Sequence, residues 1–166
     1  MIKTLEKPVV AQQQEYVVKI WRGAMPLPMI DQFRSILALM YHEAGIDASM
    51  SEKGYTDHAW DQIAAACSGV GELWVAMEGA KVLGFLLAGY NKDVDNAATY
   101  VLKQGWVDPS IRRTRKVKHC LATILTHAKS NFCRHVLLIA SRNPRAYMRW
   151  LGRGWHQVTT VLKGDL

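Results

Sequence analysis

The segment from 98 to 140 constrains the architecture of this chain more than any other. "ATYVLKQGWV" (98–107) reads as a strand and Pro109 ends it. A basic loop follows. From about Arg113 to Lys129, Val117, Cys120, Leu121, Ile124, Leu125 and Ala128 recur at the i, i+3, i+4, i+7 spacing of an amphipathic helix. "HVLLIA" (135–140) is a short, continuous apolar run, as expected for a strand buried on both faces. Strand, helix and strand in this order make a βαβ unit, with parallel strands and a right-handed crossover.

The rest of the chain supplies the other elements. "EYVVKIWR" (15–22) alternates well enough for a first strand, and "AMPLP" breaks it. Ile30, Phe33, Leu37, Met40, Tyr41 and Ala44 predict a helix over 29–44. The polar, Gly-containing stretch 46–56 reads as a loop. Asp57 is the expected cap of a helix running to about Cys67. "ELWVAME" (72–78) and "KVLGFLLAGY" (81–90) read as strands of a hairpin turning at Glu78-Gly79-Ala80, and "NKDVDNA" as the next turn. Gly105, inside the strand at 98–107, points to a bulge or a close backbone approach. Asn143 and Pro144 open a helix ending near Leu151, and 155–163 reads as a last strand. The expected order is β-α-α-β-β-β-α-β-α-β. The fold class is α/β, a mixed sheet with helices on both faces in a single domain, 1–166.

Charge divides the chain. Residues 1–99 hold 8 Lys/Arg against 12 Asp/Glu, while residues 100–166 hold 13 against 2. A basic C-terminal half calls for an anionic partner: a phosphorylated cofactor, nucleic acid or an acidic protein surface. Arg142, Arg145, Arg149 and Arg153 make a basic stripe on the last helix. The six tryptophans fall mostly at core positions, away from that stripe. This argues against a platform for single-stranded nucleic acid, which needs exposed aromatics.

Other classes find little support. No apolar run approaches the roughly 18 residues of a membrane span, and the first residues resemble neither a signal nor a transit peptide, so the expected location is the cytoplasm. Three cysteines without a CxxC predict neither a disulfide framework nor a metal site, and Cys120 fits the buried helix face. No HExxH, P-loop or GxSxG occurs.

The start of the helix near Arg113 is the first candidate site. A helix N-terminus presents unpaired N–H groups and a positive dipole end, which suit a pyrophosphate. Arg112, Arg113, Arg115, Lys116 and Lys118 surround it.

Three stretches carry a resemblance. "LWVAMEGAKVLGFLLAGY" looks like paired strands of the form v-x-g-x-x-v-G-f. "VDPSIRRTRKVKHCL" looks like V-x-P-x-x-R-x-x-G-x-G/A. "NPRAYMRWLGRGW" looks like N-x-x-A-x-x-L-Y-x-x-x-G-F, with Asn143, Ala146 and Gly154 in register and Trp155 in place of Phe. Together they resemble the GNAT acyltransferase superfamily.

The resemblance implies acetyl-CoA as cosubstrate. Its pyrophosphate would rest on Arg112, Arg113, Thr114, Arg115, Lys116 and Val117. Its thioester would meet backbone amides of a bulged strand at about Lys103 to Trp106. Gly105, Trp106, Val107 and Asn143 complete the expected cofactor set. Arg115 and Val117 stand where the family has small residues, and Trp150 where it has a tyrosine acid. Tyr147, one turn earlier, is the substitute candidate for the acid. Glu43 is the candidate general base, with Asp57, His58 and Glu72 as further ones.

The implied activity is acetyl transfer to a primary amine by direct attack in a ternary complex. Glu43, Asp47, Glu52, Asp57 and Asp61 would favour a cationic acceptor. The rival reading is a GNAT-fold subunit without catalysis, of phage or mobile-element type, that docks a macromolecular partner through its basic half. A cleft filled by Trp106, Trp150 or Arg115 would favour the rival.

Overall fold

The computed structural model describes residues 15–44, 50–92 and 98–138. Five strands form one sheet: β1 (Tyr16–Trp21), β2 (Glu72–Glu78), β3 (Lys81–Lys92), β4 (Ala98–Val107) and β5 (His135–Leu138). They lie in chain order. Each of the first four is antiparallel to its neighbour, and β5 runs parallel to β4. Helices α1 (Leu27–Ala44), α2 (Glu52–Cys67) and α3 (Arg115–Ser130) complete the described elements. The expected helix at 143–151 and strand at 155–163 lie outside the described residues, as do Asn143, Tyr147 and Trp150. Among the described residues no helix is long and apolar enough to cross a membrane.

Side-chain alternation on the strands builds two cores, one on each face. Leu73 and Val75 of β2 join Phe85 and Leu87 of β3 beneath α1 and α2, where Phe33, Leu37 and Ile63 are almost wholly buried. Trp74, Ala88, Tyr100 and Leu102 face the other way and meet Ile124 and Ala128 of α3. The α/β class, the mixed sheet and the helices on both faces are as expected. Burying a side chain such as Phe33 contributes about 1.5–3 kcal/mol, and its ring meets that of Phe85 at 5.3 Å between centroids. Gln32 ties α1 to the hairpin: its amide donates to the Ala80 carbonyl at 3.0 Å and accepts from the Val82 N–H at 2.8 Å.

Two strands carry an extra residue. Ala76 faces Gly84 and Met77 faces Val82, which leaves Leu83 unmatched on β3. Leu87 faces Gln104 and Ala88 faces Leu102, which leaves Lys103 unmatched on β4. An extra residue reverses the faces of everything beyond it. Before Lys103, Tyr100 and Leu102 point to α3; after it, Trp106 packs with α1 and α2.

Gly105 is therefore not the bulge itself. It is required by a close approach, since a Cβ there would lie 2.8 Å from the Phe85 carbonyl oxygen and 2.9 Å from Leu86 Cδ1.

Three expectations need correction. Helix α2 starts at Glu52, inside the stretch read as loop. Its cap is Ser51, whose hydroxyl accepts from the Gly54 N–H at 3.1 Å. Gly54 disguised this first turn, and Asp57 instead pairs with Lys53 one turn away. Helix α3 starts at Arg115, capped by Thr114, so Arg112 and Arg113 belong to the preceding loop. The opening of β5 is not buried on both faces: His135 is exposed and Val136 and Leu137 are half-buried.

Candidate functional site

The site grows out of the end of β4. Asp108 follows the strand and accepts from the Ser110 N–H at 2.8 Å and from its hydroxyl at 2.6 Å, with Lys81 at 3.2 Å. The Ser110 hydroxyl holds the Asp108 carboxyl below its ordinary range. This short turn sets the path into the basic loop. Thr114 then caps α3, its hydroxyl accepting from the Lys116 N–H at 3.2 Å. Other first-turn donors have no acceptor within a helix, so the α3 N-terminus remains suited to an anion.

The expected cationic residues divide into two groups. Arg112 donates from Nη2 to both Glu43 oxygens, at 2.9 and 2.7 Å, and from Nε to the Val107 carbonyl at 2.8 Å. Lys116 pairs with Glu78 and lies over the Tyr16 ring. These two are held within the fold. Arg113 and Arg115 are exposed, and no described residue forms an ion pair with either. Val117 is half-buried at the start of the α3 core face.

The Glu43 carboxylate is accordingly engaged by a guanidinium.

Farther back on β4, the described pairing with β5 runs from Thr99 and His135 to Leu102 and Leu138, the last described residue, and the extra residue Lys103 follows on β4. Among the described residues no strand covers the β5 side of β4 beyond that point. Gly105 is exposed there, so its backbone is accessible. Trp106 is 8% exposed and packs into the α1/α2 core, leaving only its main chain for a ligand. The Trp106 side chain therefore does not fill this edge; Trp150 lies outside the described residues.

On the α2 side of the bulge stands a cluster that the sequence reading missed. Gln104 donates from its amide to the Tyr55 hydroxyl at 2.8 Å. The Tyr55 ring meets that of Tyr41 at 5.8 Å between centroids, and Tyr41 donates to the Met50 carbonyl at 3.0 Å. Burial pushes the Tyr55 phenol above its ordinary value. Reading 46–56 as loop hid Tyr55. The hydroxyl's partner on β4 depends on the bulge, which no local pattern encodes.

The remaining base candidates are elsewhere or engaged. His58 shares a hydrogen bond with Gln62 at 2.9 Å on the exposed side of α2. Glu72, expected at the surface, is only 6% exposed, because the α3 core closes over it. It accepts from the Tyr100 hydroxyl and contacts His127 Nε2 at 3.1 Å, with Arg22 at 3.7 Å. Trp74 donates to the Tyr100 hydroxyl at 2.6 Å. This network lies at the starts of β2 and β4, the opposite end of the sheet from the α3 N-terminus. Cys120, expected buried, is half-buried and lies 2.6 Å from the Tyr16 hydroxyl.

Comparison with known proteins rests on shape. No family model and no curated protein matches the chain. Solved structures do. An aminoglycoside N-acetyltransferase, AAC(6')-Iy, in complex with CoA is 14% identical over 95% of this chain and 99% of its own, with a TM-score of 0.65. A predicted acetyltransferase with acetyl-CoA from Clostridium acetobutylicum is 14% identical over 91% of this chain and 96% of its own, with a TM-score of 0.63. An integron cassette protein from the mobile metagenome of V. cholerae is 18% identical over 90% of this chain and 92% of its own, also at a TM-score of 0.63. The chain has the fold of the GNAT acetyltransferases.

Proposed function

We propose that this GNAT-fold chain transfers an acetyl group from acetyl-CoA to a primary amine. The observation that carries the reading is the juxtaposition on one strand. β4 gains its extra residue at Lys103, exposes its backbone at Gly105, and leads through Asp108 into the arginine loop at the α3 N-terminus. That geometry offers exposed backbone at Gly105 for a thioester and, beyond the strand end, positive charge for a pyrophosphate. The CoA and acetyl-CoA bound to two structures of the same fold support it.

In this reading Arg113, Arg115 and the first-turn amides of α3 hold the pyrophosphate. Arg113 and Arg115 supply charge-assisted contacts where close backbone approach is restricted by the side chains at 115 and 117. Arg112 shapes the loop through Glu43 and Val107. The backbone of Gly105, Trp106 and Val107 lines the thioester, and Asn143 stands at the head of the expected last helix.

The amine nitrogen attacks the thioester carbonyl. A C–N bond forms, the C–S bond breaks, and the thiol leaves with a proton. Tyr147 is the proposed donor of that proton. The amine's proton passes to solvent water, because Glu43 is held by Arg112, and positioning of the amine carries more of the rate than a base.

Calorimetric titration with acetyl-CoA tests the reading, with Arg113→Ala and Arg115→Ala alongside. Micromolar binding, weakened about tenfold in each variant, is the expected result. No binding at millimolar ligand overturns it.

A further inference from the structure

We infer that Lys103 recognises a carboxylate on the acceptor, so that the substrate is an amino-acid-like amine rather than a polycation. The inference rests on the acetyl-transfer reading above and deepens it. It starts from the bulge. Ala88 packs with Trp74 and Tyr100 on the α3 side, and the Tyr90 hydroxyl reaches His127 of α3 at 2.9 Å. Gly89 between them must face α2. A Cβ placed on Gly89 would lie 3.7 Å from Lys103 Nζ and 3.8 Å from its Cε. The Lys103 side chain therefore lies over Gly89 on the α2 side. Gln104 also points to α2, through Tyr55. Two consecutive residues share one face only because the strand bulges.

Charge on this side is not what the acidic N-terminal half suggested. Glu43 is held by Arg112 and Asp57 by Lys53, while Glu52 contacts His42 Nε2 at 3.2 Å. Asp61 is the one described carboxylate of α1 and α2 without an ion pair, and it lies on the exposed side of α2. Lys103 is exposed and forms no ion pair with any described residue. A free ammonium beside the bulge, with neighbouring acids engaged, repels a cation and attracts an anion. The Tyr55 hydroxyl, having accepted from Gln104, keeps a proton to donate. An ammonium and a phenol on the same face of the sheet can each donate to a carboxylate.

Matched ligand pairs test this: lysine against cadaverine, and phenylalanine against phenethylamine, with their N-acetyl products. Acetyl-CoA binding is measured first, by calorimetry, on wild type, Lys103→Glu and Lys103→Gln. Thiol release is then followed for the amines, and binding of the N-acetyl compounds to the CoA-saturated protein. We expect the carboxylated member of each pair to be favoured about tenfold in wild type. Lys103→Gln should remove the preference and Lys103→Glu reverse it, each read as a ratio within a pair at saturating acetyl-CoA. A wild-type preference for the decarboxylated member overturns the inference, as does a preference unchanged in Lys103→Glu, no binding or turnover across the panel, or acetylation of Lys103 itself instead of the ligands. Failure of wild type to bind acetyl-CoA overturns the underlying reading; binding without the expected preference overturns the inference alone.

Discussion

Arg112 and Glu43 are joined through one guanidinium nitrogen and both carboxylate oxygens, at 2.9 and 2.7 Å, and the pair fastens the end of α1 to the loop after β4. Two residues singled out for separate tasks, phosphate binding and proton removal, hold each other. Both side chains are about two-fifths exposed, so the pair adds at most about 1 kcal/mol to stability. Glu43→Gln should therefore leave the denaturation midpoint nearly unchanged and lower kcat/KM less than tenfold, roughly the loss of loop positioning rather than of a base. A loss beyond about a hundredfold in kcat with KM unchanged would restore Glu43 as the base.

Cofactor affinity should follow ionic strength through the two arginines left open. Raising salt screens Arg113 and Arg115 from a pyrophosphate, so acetyl-CoA binding should weaken. The double variant Arg113→Ala/Arg115→Ala should bind weakly at every salt concentration, with a flatter dependence. Calorimetry across a salt series checks this.

Tyr100→Phe should destabilise the chain. The hydroxyl accepts from the Trp74 indole at 2.6 Å and donates to Glu72, and all three residues are buried. Removing it strands a donor and strips a buried carboxylate of a partner, a cost of about 1–3 kcal/mol. Urea denaturation reads it directly. The site lies at the other end of the sheet, so acetyl-CoA affinity should not change.

Gly105→Ala places a methyl 2.8 Å from a main-chain oxygen of β3, which cannot move aside cheaply. A loss of about 1–3 kcal/mol is expected from overpacking, together with weaker acetyl-CoA binding. A fully stable variant would mean that β3 and β4 separate more readily than their pairing implies.

Alkaline pH should lower the protein's stability modestly in a defined window, since Tyr90 is half-exposed. Burial and the nearby Glu72 charge push the Tyr90 phenol from 10.0 up to about 12. The folded state then keeps a proton that the unfolded chain has already lost. Stability is full below pH 10 and falls as pH rises toward about 12. Denaturant midpoints measured from pH 8 upward should stay level and then drop, and Tyr90→Phe should reduce the slope.

Much of the frame was legible beforehand, for identifiable reasons. The helix at α3 announced itself because Val117, Cys120, Ile124 and Ala128 fall on one face, and burial follows periodicity. The β2–β3 hairpin did so because Gly79, at φ +58°, takes a turn conformation that few residues tolerate. The start of α2 did not, because Gly54 weakens the helical pattern while Ser51 caps it through a single hydrogen bond. Glu72 did not, because its burial depends on Tyr100 and His127, distant in sequence. Tyr147, Trp150 and Asn143 lie outside the described residues.

The sequence by itself determined the order of strands and helices, the mixed sheet and the basic loop at a helix N-terminus. These follow from side-chain periodicity and from groups close together along the chain. Only the tertiary structure decided which charges are available there. Arg112 is claimed by Glu43 and Lys116 by Glu78, while Arg113, Arg115 and Lys103 form no ion pair among the described residues. The first two partners stand 69 and 38 residues away. The face that Lys103 shares with Gln104 was likewise set by one extra residue in a strand, a register that is fixed between strands and not within one.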